Sequence, residues 1–338
     1  MNFVFYFGLI YVVQALIYTL SKKMDINDLP SARKVHKIPI PRIGGYAIFL
    51  SFVIVMTTLT DIMPPNYVYI FYGMGIIILI GLFDDIFDMP AIYKLVGQAI
   101  SAGVVVHFGN IFPVQMAFPF GLILQFPEYV GKIISVVWIV AIINAVNLLD
   151  GLDGLAAGFG LISITTITIM SFLQNNTLLP LMGLIFMFCL IVFLRFNFNP
   201  AKVFLGDAGS MLIGYFIGVI TLIGYKSAAF ASILIPIIIL FIPFLDAISA
   251  IIRRKRNGRG IHLADKRHIH HMILRSSKTH RGAVLKMYGL FSSVAIGTLL
   301  YYYNKPIGIF IIMIGIVSTI LTFWKLGVIS ENQGEQNE

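Results

Sequence analysis

Long apolar runs dominate the chain, and short polar segments separate them. Eleven runs approach the length of a membrane-crossing helix: about 1–20, 43–61, 67–83, 95–109, 130–148, 154–173, 177–194, 210–224, 230–252, 283–303 and 305–324. A helix needs roughly 20 mostly apolar residues to cross the hydrocarbon core of a bilayer. The period-2 alternation of an outer-membrane barrel is missing. The pattern therefore predicts an all-α, polytopic integral membrane protein of eleven spans. It is read as one domain over 1–326, followed by a polar tail at 327–338 with the composition of a disordered segment. The stretch 109–129, rich in Pro and Gly, reads as a loop or short hairpin.

Composition agrees with the pattern. Of 338 residues, 58% are hydrophobic and 12% charged, about half the charge of an ordinary soluble domain. Met1–Leu20 has no basic residue ahead of its apolar stretch, which argues against a cleaved signal peptide. Six Lys and Arg residues fall in 21–42 and ten in 253–281, whereas the loops of opposite parity hold only Lys132, Lys226 and Lys305. By the positive-inside rule the N-terminus lies outside and the C-terminus in the cytoplasm. The net charge of +9 sits in these loops without an aromatic-basic module, so no nucleic-acid partner is expected. The lone Cys189 cannot form an intramolecular disulfide.

Charge placement points to chemistry. Ten of the fifteen acidic residues fall on the expected cytoplasmic side outside the tail. Asp84, Asp85 and Asp88 end one span, Asp150 and Asp153 follow another, and Asp207 and Asp246 accompany two more. A single terminal acid only marks a helix end in water. Adjacent acids repel one another, so their density calls for a cation or a basic partner. In "NAVNLLDGLDGLAAG", Asn144, Asn147, Asp150 and Asp153 stand three apart, on one helical face. Such oxygen ligands suit Mg²⁺. In "KVFLGDAGSMLIGY", Gly206, Gly209 and Ser210 flank Asp207 at a helix start, where phosphate is favoured. The basic segment 253–281 contains Arg267, His268, His270 and His271, fit to donate hydrogen bonds to a diphosphate or sugar. No cysteine and no HExxH pattern supports zinc there.

"GLFDDIFDMPAIYKLVGQ", "NAVNLLDGLDGLAAG", "FLGDAGS" and "DKRHIHHMIL" together resemble the polyprenyl-phosphate N-acetylhexosamine-1-phosphate transferases, in order and spacing, from about residue 33 to 275. The likeness is greatest to the bacterial branch that transfers GlcNAc-1-phosphate to undecaprenyl phosphate and initiates wall teichoic acid or related surface glycans. "HIHH" differs from the three consecutive histidines usual in the phospho-MurNAc-pentapeptide transferases, the near competitor. The resemblance implies a bacterial plasma-membrane enzyme with a cytoplasmic-face active site, using UDP-GlcNAc, undecaprenyl phosphate and Mg²⁺, with Mn²⁺ as a substitute. It implies that Asp84 and Asp85 act on the lipid phosphate, that Lys94 lies near the phosphates, and that Asn147 and Asp207 bind the metal. Phe204 would stack on the nucleobase, Asp153 would lie near uracil, and His268, His270 and His271 would close over sugar and diphosphate. Asn144, Asp150 and Arg267 complete the candidate binding set. The oligomeric state stays open, a homodimer included. An ion-coupled transporter would keep its acids nearer mid-membrane. An intramembrane prenyltransferase would leave "FLGDAGS" and the histidine loop unexplained.

Overall fold

A computed structural model describes residues 2–21, 27–28, 39–117, 123–174, 178–226, 234–256 and 268–326. Thirteen helices account for most of them: α1 (Phe3–Ser21), α2 (Gly44–Thr57), α3 (Val68–Phe87), α4 (Ala91–His107), α5 (Glu128–Leu149), α6 (Leu155–Leu173), α7 (Leu178–Asn197), α8 (Gly206–Lys226), α9 (Leu234–Ile239), α10 (Phe241–Arg256), α11 (Ile269–Arg275), α12 (His280–Tyr303) and α13 (Lys305–Lys325). The protein is an all-α, multi-pass membrane protein. Among the described residues, eight helices are long and apolar enough to cross a bilayer, and α2 and α4 are shorter apolar helices.

The run at 230–252 departs from the expected single span. It divides into α9 and α10 at Leu240. Pro243 supplies the physical reason: its ring lacks an N–H and clashes with the carbonyl four residues back, that of Ile239. Helix α11, inside the basic segment, was not foreseen. Within 109–129, Gln115–Ala117 and Ile123–Gln125 form an antiparallel strand pair.

Burial is graded around α8. Its apolar residues, among them Met211, Tyr215 and Phe216, are buried, whereas α1 and α13 leave much of their apolar surface exposed. Without water, every spanning backbone must satisfy its own hydrogen bonds, and exposed Leu, Ile and Phe face lipid at no cost. Phe186 and Phe216 stack with centroids 4.0 Å apart, and Phe52 meets both edge-on.

Small residues let three helices converge at the start of α8. A Cβ on Gly81 of α3 would overlap Ala208, and one on Gly45 of α2 would overlap the backbone of Gly209. Close backbone approach of this kind drives helix packing in lipid, where hydrophobicity gives no net drive. The segment before α2 is also zipped to the segment before α8. Phe204 N–H donates to Pro41 O (2.9 Å), Gly44 N–H to Phe204 O (3.0 Å) and Gly45 N–H to Leu205 O (3.0 Å). These contacts carry the ends of α2, α3 and α8 to one place.

Candidate active site

Helix α3 ends where the sequence changes from "LIGLF" to "DDIFDMP". Asp88 adopts a left-handed conformation (φ 48°) as the C-cap, and Pro90 follows, so the helix cannot continue. Asp84 turns back into this corner, and its Oδ1 accepts the Met89 N–H at 3.0 Å. Its residue exposure is 8%. Asp88 serves the helix end, while Asp84 and Asp85 face α4, α2 and α8.

Lys94, in the first turn of α4, lies between two carboxylates. Its Nζ is 2.5 Å from Asp84 Oδ2 and 3.1 Å from Asp207 Oδ2. The close approach of Gly81 to Ala208, three residues before Asp84 and one after Asp207, sets this spacing. Asp85 has a separate pair of partners. Tyr46 donates its hydroxyl to Asp85 Oδ2 at 3.3 Å, and Arg42 Nη1 lies 3.9 Å from Asp85 Oδ1. Arg42 and Tyr46 were missed in the sequence. Their only signal was a basic residue followed by a Gly-Gly helix start in "PRIGGYAIF".

Helix α5 supplies the third wall. Asn147 donates through Nδ2 to Ser210 Oγ (2.8 Å), one turn along α8 from Asp207. Asp150, just past the end of α5, is half-buried. Burial first, then the neighbouring charges of Asp207 and Asp153, push its carboxyl up to about 8, with Arg42 opposing. A cation placed beside it would favour the ionised form.

The remaining members of the asparagine and aspartate ladder are engaged elsewhere. Asn144 donates to Gln98 Oε1 (2.6 Å) and to Val140 O (2.8 Å), which ties α5 to α4 one turn deeper than Asn147. Asp153 Oδ2 accepts from Asn199 Nδ2 (2.8 Å) and Ala201 N–H (3.2 Å), and its own N–H donates to His280 Nε2 (3.0 Å). It thereby holds the segment that leads to Phe204, which is half-buried. Gln98 was also missed, since an isolated Gln in an apolar helix carries no signal of its partner.

The histidines reach the same end of the bundle. His268 precedes α11, and His270 and His271 lie in its first turn. The His270 ring packs onto Gly151, where any Cβ would overlap it. His268 and His270 lie parallel with centroids 5.8 Å apart, and His270 and His271 are 4.2 Å apart. Burial, reinforced by His271 and His268, holds His270 well below the usual imidazole range. Its Nδ1 is buried with no hydrogen-bond partner. Arg267 lies outside the described residues.

Among the described residues no three His, Cys, Asp or Glu side chains form a ready metal-ligand group. The donors at the start of α8 are nevertheless all oxygens, from Asp84, Asp85, Asp207 and the Asn147 amide. That set fits a hard divalent cation such as Mg²⁺. The Lys94 ammonium already sits where positive charge is wanted, between Asp84 and Asp207. Carboxylates from α3 and α8, a lysine from α4 and an amide from α5 thus surround one polar spot at the ends of apolar helices. Such a spot can hold a phosphate-bearing substrate together with its counter-cation.

Comparison with known proteins agrees. A family described as Glycosyl transferase family 4 matches residues 67–225, which include Asp84, Asp85, Lys94, Asn147 and Asp207. A probable undecaprenyl-phosphate N-acetylglucosaminyl 1-phosphate transferase of Bacillus subtilis (strain 168) is 35% identical over 284 residues, covering 82% of this chain and 77% of that protein. An undecaprenyl-phosphate alpha-N-acetylglucosaminyl 1-phosphate transferase of Haemophilus influenzae is 32% identical over 91% of this chain and 90% of its own. A decaprenyl-phosphate N-acetylglucosaminephosphotransferase of Mycobacterium leprae is 31% identical, with 91% and 84% covered. Fold and likeness together define a membrane phosphoglycosyltransferase. The chain belongs to the polyprenyl-phosphate N-acetylglucosaminyl-1-phosphate transferase family.

Proposed function

We propose that this protein transfers GlcNAc-1-phosphate from UDP-GlcNAc to undecaprenyl phosphate at the cytoplasmic face of a bacterial plasma membrane. The products are undecaprenyl-diphospho-GlcNAc and UMP, and the step begins wall teichoic acid or a related surface glycan. One observation carries the reading: Lys94 bridges Asp84 and Asp207, with Asp85 held beside them, where apolar helices end. A lipid-tethered phosphate and a water-soluble nucleotide sugar can meet only at such a boundary.

In the reaction, an oxygen of the lipid phosphate attacks the β-phosphorus of UDP-GlcNAc. The bond from that phosphorus to the bridging oxygen breaks, and UMP leaves with the electron pair. Phosphoryl transfer asks chiefly for positioning and charge stabilisation. The acceptor is a phosphate monoester with a second pKa near 6, so it is largely dianionic and needs no strong base. Asp85, fixed by Tyr46 and Arg42, orients the acceptor. Lys94 offers its ammonium to the phosphates. Mg²⁺, or Mn²⁺ in its place, would be held by Asp207 and Asn147 and would supply Lewis-acid stabilisation of the diphosphate. His270, resting on Gly151, and its neighbours His268 and His271 would face the donor's sugar and diphosphate.

The deciding experiment presents UDP-GlcNAc, UDP-GalNAc and UDP-MurNAc-pentapeptide side by side to purified protein with undecaprenyl phosphate and Mg²⁺. UMP release with UDP-GlcNAc, dependent on both lipid and metal, is expected. Preference for the pentapeptide donor would move the protein to the peptidoglycan branch. UMP release without lipid would make it a hydrolase.

A further inference from the structure

Asp246 of α10 is 2% exposed and has no part in the chemistry described above. It nonetheless uses both carboxylate oxygens on the start of the histidine helix. Oδ1 accepts the Ile269 N–H at 3.0 Å, and Oδ2 lies 3.0 Å from His268 Nδ1. The start of α11 has no side-chain cap of its own, so this acid from another helix takes that role. A carboxylate can only accept. The shared hydrogen therefore sits on His268 Nδ1, and Nε2 is the nitrogen left to meet a ligand.

The contact closes a circuit back to the polar spot. Helix α10 packs on α5 through an edge-on pair, Phe244 and Trp138, with centroids 5.9 Å apart. Helix α5 leads to Gly151. His270 rests on Gly151 and lies parallel to His268, whose ring Asp246 holds. A shift of α11 would have to break the Asp246 contacts or lift His270 from Gly151.

We propose that Asp246 is a positioning residue: it locks His268 in its Nδ1–H form and sets the register of the histidine helix against the Gly151 turn. His268 Nε2 is thereby presented as a hydrogen-bond acceptor toward a hydroxyl of the donor's sugar. This rests on the phosphoglycosyl transfer proposed above.

Asp246→Asn separates the two roles. Its amide oxygen can still accept from Ile269 N–H, but its NH₂ then faces His268 Nδ1 and moves the ring hydrogen to Nε2. With the full chain in detergent and ¹⁵N-labelled histidine, one imidazole should change from the Nδ1–H to the Nε2–H pattern. That signal should be missing in His268→Ala. With UDP-GlcNAc, undecaprenyl phosphate and Mg²⁺, kcat should fall at least about tenfold while the melting temperature is kept, the range of a displaced catalytic group. In the His268→Ala background, Asp246→Asn should change kcat less than about twofold, because interacting residues are non-additive. An unchanged imidazole pattern, wild-type kcat, or an equal loss in both backgrounds would each overturn the assignment; the last would show that Asp246 does not act through His268. The ¹⁵N pattern does not depend on turnover, so it decides the tautomer even if UDP-GlcNAc proves to be the wrong donor.

Discussion

Lys94 and Asp207 are 113 positions apart in the chain, yet Nζ and Oδ2 lie 3.1 Å apart at the junction of α4 and α8. The same ammonium touches Asp84. One cation thus relieves repulsion between two acids from different helices. Lys94→Met would leave those acids facing each other without it. Turnover should fall by about 10² or more, in the range found when a single preorganised charge-stabilising group is lost. A UMP-release assay checks this, and a loss under threefold would remove Lys94 from the reaction centre.

Gly81 sets how near Asp84 comes to Asp207. Gly81→Val should push α3 away from Ala208, at a cost of roughly 1–3 kcal/mol for overpacking. Activity should fall further than stability accounts for, since the carboxylates and Lys94 would be drawn apart. Thermal unfolding in detergent, paired with the transfer assay, tests both parts.

Asn144 belongs to the same ladder, and its side-chain NH₂ donates to Gln98 Oε1 and Val140 O. Asn144→Ala should leave Gln98 Oε1 without its donor and cost about 1–3 kcal/mol. The expected signature is a lowered melting temperature with donor KM changed less than about threefold. A large rise in KM at unchanged stability would return Asn144 to the binding site.

His270 carries a pH dependence. Its folded-state value is depressed by burial, so the unfolded chain binds the extra proton first. Stability is therefore complete above the ordinary imidazole value of about 6.5 and is lost as pH falls from there toward the folded value. One such proton sets a slope of at most about 1.4 kcal/mol per pH unit. Melting temperatures between pH 7.5 and 5 should fall less steeply for His270→Asn than for the wild type. Parallel curves would show that His270 does not drive the acid loss.

Features whose meaning is local were readable in the sequence. Asp84 and Asp85 end an apolar run, and Asp207 sits in a glycine-rich helix start; both stand out because charge is costly beside lipid. Asp88 and Pro90 mark the end of α3 without help from any other segment. Arg42, Tyr46, Gln98 and Asp246 gain their roles only from distant partners: Tyr46 meets an acid 39 positions away and Gln98 an amide 46 away. Periodicity cannot show such pairings. The division at Leu240 was readable, since Pro243 interrupts the apolar run. Hydropathy averaged over the whole run hid it.

The polar spot draws its parts from Arg42 near the beginning of the chain to Asp207 on α8, and the histidine helix beside it comes from the last third. A ribosome must therefore release most of the polypeptide before any of these groups can act together. The early helices supply Asp84, Asp85 and Lys94, but Asp207 comes only with α8. On the proposed reaction, competence would arrive late in biogenesis, when His270 settles on Gly151.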